Sequence, residues 1–118
     1  MEVQVLAVSR VEEAKTEIRD ALLRMVTEDF TGLGELPALL KVLFPELSME
    51  ERKSITLEVV GQLLQDRMIR AGKLDDAGGK FIGTDLTADE VVAAMDQEWQ
   101  RIGRDPHIGE IFWLDTVD

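Results

Sequence analysis

The sequence predicts an α+β domain, mainly helical, with about four helices and a small antiparallel sheet. Three observations carry that prediction. The segments Ser9–Glu12, Ser48–Glu51 and Thr87–Glu90 each place a hydroxyl three residues before a carboxylate at the head of an amphipathic run, the pattern of a reciprocal helix cap. Met68–Leu74 and Phe81–Thr84 alternate like strands around Asp75-Asp-Ala-Gly-Gly79, which is a hairpin signal. The 118 residues suit one domain, and no repeat, low-complexity tract or linker divides them.

The elements follow in order. Residues 1–8, Met-Glu-Val-Gln-Val-Leu-Ala-Val, read as a short strand with Val3, Val5 and Ala7 on one face and Leu6 and Val8 on the other. The segment lacks a basic leader and carries Glu2, so it does not read as a signal peptide. From the Ser9 box, Val11, Ala14, Ile18, Ala21, Leu22, Met25 and Val26 recur at helical spacing through Thr27. Glu13, Glu17, Asp20 and Arg24 charge the opposite face. Thr31-Gly-Leu-Gly34 breaks the pattern. Pro37 then fits the first turn of a second helix built on Leu36, Leu39, Leu40, Leu43 and Phe44, and Pro45 ends it, because the residue before a proline is pushed out of the helical region.

The third helix runs from the Ser48 cap to about Leu64 and turns Ile55, Val59, Val60, Leu63 and Leu64 inward. Gly61 within it predicts close approach by a neighbouring element. After the hairpin, the Thr87 box opens a helix with Val91, Val92, Met95, Trp99 and Ile102 inward, stopping at Gly103. Arg104–Gly109 reads as a loop. Ile111–Leu114 reads as a terminal strand that becomes the third of the small sheet.

Over roughly residues 10–85 this order resembles the winged-helix superfamily: three helices emptying into a two-stranded ribbon. The resemblance rests on element order. It implies a DNA reader whose third helix meets base edges and whose wing grips phosphate. The charge departs from that implication. The chain carries 24 acids against 13 lysines and arginines, a net charge of −11. Residues 71–118 hold eleven acids against four bases. Duplex binding needs cations that neutralise phosphate, and a field of this sign repels it. Asp75 and Asp76 stand at the wing tip where base is expected, and Glu50, Glu51 and Glu58 share the third helix with Arg52, Lys53, Ser54 and Thr56.

The expected role is therefore an acidic protein-binding module for a basic partner. The expected contact residues are Asp75, Asp76, Asp85, Asp89, Glu90, Glu110, Asp115 and Trp113, the last an aromatic anchor between acids. Small, acidic, cysteine-free chains are similar to the bacterial immunity proteins that neutralise basic, nuclease-type toxins, where opposite charge steers fast association. The alternative is a DNA-binding transcriptional regulator acting as a dimer through Arg52 and Lys53. A structural role, with residues 1–8 pairing against another subunit in a homodimer or larger assembly, is the third reading.

No chemistry is legible. The chain has no cysteine and one histidine, His107, with no nucleophile beside it. Asp75-Asp76 before Gly78-Gly79 lacks the alternate acids and the twelfth-position Glu of a calcium loop, and Gly78-Gly79-Lys80 lacks the remaining residues of a phosphate loop. No enzyme activity, cofactor or metal is expected. No apolar run approaches the roughly 20 residues of a membrane span, and the lack of cysteine gives no redox argument for secretion, so the default expectation is the cytoplasm.

Overall fold

The computed structural model describes residues 2–77 and 79–117, with side chains from residue 10 onward. Among these the chain forms α1 (Glu2–Glu28), β1 (Thr31–Gly32), α2 (Glu35–Leu43), α3 (Met49–Gln65), β2 (Arg70–Leu74), β3 (Phe81–Gly83), α4 (Ala88–Ile102) and β4 (Trp113–Asp115). It is an α+β fold, mainly helical, with a four-stranded antiparallel sheet.

Two caps form as their sequences require. Glu51 N–H donates to Ser48 Oγ at 3.1 Å while Ser48 N–H donates to Glu51 Oε1 at 2.8 Å, and Thr87 and Glu90 repeat the exchange. The third box does not cap. The backbone of 2–9 is helical, so Ser9 lies inside α1 and the strand expected over residues 1–8 is absent from the described part, 2–8. A capping hydroxyl needs non-helical backbone before it. Here no glycine or proline interrupts the chain between Glu2 and Glu28, and extending an existing helix costs far less than starting one.

The sheet order is β1-β4-β2-β3. The last strand therefore enters between β1 and β2 and pairs with both, Gly32 and Gly72 each facing Trp113. The Trp113 ring packs against Gly109, where a Cβ would stand only 3.0 Å from Trp113 Cζ2. Ile111, Phe112 and Leu114 are buried, and Trp113 is half-buried. The strand begins two residues later than its apolar pattern suggested, at Trp113.

One core joins the layers: Ile18 and Leu22 of α1, Leu36 and Leu40 of α2, Val60 and Leu63 of α3, Met95 and Trp99 of α4, and Leu114 of β4. Helices α3 and α4 run antiparallel. Gly61 meets Val92 near one end, where a Cβ would stand 3.0 Å from Val92 Cγ2, and Arg52 meets Asp105 beyond the other. Among the described residues no helix is long and apolar enough to cross a membrane.

Candidate functional site

On α3, the element that would read DNA in a winged helix, both cations are taken up internally. Arg52 Nε donates to Asp105 Oδ2 at 2.8 Å and Nη1 donates to the Leu47 carbonyl at 2.8 Å, leaving the side chain 11% exposed. Lys53 is 8% exposed, with Nζ 2.9 Å from Asp96 Oδ1 and 3.6 Å from Glu50. The Asp96 carboxylate against it lifts the Lys53 ammonium above its ordinary pKa, with Glu50 adding to the effect. What α3 presents to solvent is Glu50, Glu51, Ser54, Glu58, Gln62 and Gln65. That face carries three acids and no base.

The eight residues expected to bind a partner do not form one patch. Asp75 and Asp76 sit at the hairpin tip, beyond the end of β2. Asp115 pairs with Arg70 at the beginning of β2, so the two ends are separated by a five-residue strand, about 16 Å. Asp85 lies nearer the Arg70 end, because Thr84 N–H donates to the Ala71 carbonyl. Asp89 and Glu90 follow in the first turn of α4.

Several of these carboxylates are already engaged. Asp75 Oδ1 accepts from Lys80 N–H at 3.0 Å and closes the hairpin. Glu90 caps α4. Asp115 is 14% exposed at its side chain and holds Arg70 Nη2 at 3.0 Å, while that guanidinium lies 4.6 Å over the Phe81 ring. Glu110 accepts from both terminal nitrogens of Arg104, at 2.8 and 2.9 Å, and from the His107 N–H. The Arg104 guanidinium, and after it the His107 amide, hold the Glu110 carboxyl well below its ordinary value, at about 2. Asp76, Asp85 and Asp89 remain exposed with no ion pair among the described residues.

Along the chain between Asp76 and Asp89 lies an apolar feature not singled out above. β3 is an edge of the sheet, and Ile82 on it is 55% exposed. Leu86, just after it, is 45% exposed. With Gly72, Gly83, Thr84 and Phe112 they line a cleft of about 360 Å³ whose one cation is Lys73. Gly72 is needed there: a Cβ would stand 2.1 Å from the Ile82 carbonyl oxygen, so only glycine lets the two strands meet. The sequence signal was available in Phe81-Ile-Gly, where alternation puts Ile82 opposite the buried Phe81.

Among the described residues no three His, Asp or Glu side chains are grouped to hold a metal. His107 is exposed, with Nδ1 3.8 Å from Glu110. Comparison with protein-family models, with curated proteins and with solved structures returned no match.

Proposed function

We propose that this chain is a protein-binding module that engages a basic partner along the β3 edge. Ile82 and Leu86 supply the apolar centre, and Asp76, Asp85 and Asp89 supply a charged rim. The observation that carries the reading is the fate of Arg52 and Lys53. With both cations held against Asp105 and Asp96, the solvent face of α3 offers a duplex carboxylates, amides and one hydroxyl but no base, and cation–phosphate contact is a large source of affinity in DNA binding. An apolar centre inside a polar rim is the usual anatomy of a protein interface. In its most concrete form the module is an immunity protein, whose carboxylates stand where a nuclease toxin expects phosphate; small size and net charge support this form.

The element order α1-β1-α2-α3-β2-β3 favours a second reading, a winged-helix regulator that binds DNA. One pair of experiments separates them. A partner captured from lysate and then purified should be basic, should bind more weakly as salt rises, and should be released by Asp76→Lys with Asp85→Lys or by Ile82→Asp. Retention of random duplex at low salt, lost in Arg52→Ala with Lys53→Ala, would establish the regulator instead.

A further inference from the structure

A second cleft, of about 460 Å³, opens between α2, the first turn of α3 and the loop that follows α4. Gly34, Ala38 and Lys41 face it from one stripe of α2, Met49 and Arg52 from α3, and Arg104–His107 from the loop. In a chain of net charge −11 its lining carries three fixed cations, Lys41, Arg52 and Arg104, against a single acid, Asp105. We infer that this cleft is a binding site for a small molecule bearing a compact oxyanion group, phosphate or carboxylate. The inference stands independently of the partner proposed for the β3 edge.

The cleft is built before any ligand arrives. A Cβ on Gly34 would stand 2.4 Å from the Pro106 carbonyl oxygen and 2.7 Å from His107 backbone atoms, so the loop rests directly on the start of α2. Asp105 ties the same loop to Arg52, Glu110 closes it onto Arg104, and Pro106 is buried beneath. Such fixing removes the ordering cost that a ligand would otherwise meet.

The cations keep donors in reserve. Arg52 uses Nε and Nη1 on protein oxygens and leaves Nη2 available; Arg104 uses Nη1 and Nη2 and leaves Nε. Lys41, exposed on the last turn of α2, has no partner among the described residues. A guanidinium with free donors beside an ammonium is the recognition chemistry of an oxyanion. The volume is roughly fifteen times the share of one water in the liquid. That exceeds a bare oxyanion, and Ala38, Met49 and Pro106 offer apolar wall for the remainder of the ligand.

The test is an amide NMR titration of the full chain with inorganic phosphate and, separately, with citrate, at constant ionic strength. Saturable shifts confined to residues 34–41, 49–52 and 103–107 are expected with at least one probe. Phosphate alone identifies a phosphorylated ligand, citrate alone a polycarboxylate, and both an oxyanion site without preference between them. Lys41→Ala, a surface change, should weaken the binding by about fivefold or more, while Arg24→Ala on α1 leaves it unchanged. Shifts that fail to saturate by about 20 mM, that spread over all cationic residues, or that ignore Lys41→Ala would overturn the proposal.

Discussion

Arg52→Ala distinguishes a structural arginine from a reader of nucleic acid. The substitution removes a charge-assisted bond to Asp105 at 2.8 Å and a second bond to the Leu47 carbonyl at 2.8 Å. It leaves a carboxylate that is 22% exposed without its cation. Breaking a fully buried pair from one side costs about 3–5 kcal/mol, and this pair, shielded but still touched by solvent, should cost about 2–3 kcal/mol. Unfolding entropy near 2.1 cal/mol/K per residue gives a chain of 118 residues about 0.25 kcal/mol per degree, so the melting midpoint should fall by about 10 °C. Calorimetry on the wild type, Arg52→Ala, Asp105→Ala and the double variant closes the cycle. The double variant should fall short of the summed single losses by about 1 kcal/mol or more, since each single change strands the other's charge. A midpoint within about 2 °C of wild type for Arg52→Ala, an effect expected of surface sites, would mean that Asp105 does not hold the guanidinium in solution and that it is open to a duplex.

Three further outcomes follow from individual contacts. The folded-state pKa of Glu110 lies near 2, below its ordinary 4.5, so its ion pair stabilises the fold above that ordinary value and is lost as pH falls from about 4.5 towards 2. Thermal melts between these limits should drop more steeply for the wild type than for Glu110→Gln, and parallel profiles would remove Glu110 from the loop's support. Thr56 is fully buried with its hydroxyl unpartnered, so Thr56→Val should stabilise by about 1 kcal/mol in chemical denaturation; a loss would mean that the hydroxyl finds a partner. Gly34→Ala keeps an allowed helical backbone, φ −62, yet drives a Cβ into the Pro106 carbonyl. It should cost about 1–3 kcal/mol, read by the same denaturation.

Legibility in the sequence followed the range of the interactions. The Ser48 and Thr87 caps, the Pro45 stop and the Gly103 stop are decided within four or five residues and appear where the residues place them. The hairpin forms too, but its first strand starts at Arg70, two residues later than Met68, and its second ends at Gly83 rather than Thr84. The Ser9 box carries the same local pattern and fails, because a cap is defined by what precedes it and α1 runs through. The position of β4 between β1 and β2 is a matter of pairing across the whole chain, which no alternation of Ile111–Leu114 encodes. The candidate site was half legible for the same reason. Exposure of Asp76, Asp85 and Asp89 follows from turn and helix-start chemistry. The capture of Arg52 by Asp105, 53 residues away, and of Glu110 by Arg104 requires the fold.

The charges around β3 also oppose pairing of that edge with a second copy of the chain. An exposed edge strand with an apolar side chain invites addition of a like strand, and proteins restrain this with short edges and with charge. β3 is three residues long and ends in Gly83, which limits the ladder a second copy could build. Two copies meeting there would also bring Asp76, Asp85 and Asp89 of one copy towards the acids of the other, a repulsion across a partly desolvated contact. The proposed basic partner would convert the same carboxylates from barrier to attraction without changing the apolar contact. Salt therefore acts on the two associations in opposite directions. Screening weakens the pairing with a basic protein and relieves the repulsion between copies. Light scattering that rises with salt while partner affinity falls is the signature of one surface serving both ends, and a common direction for the two would place self-association and partner binding on different faces.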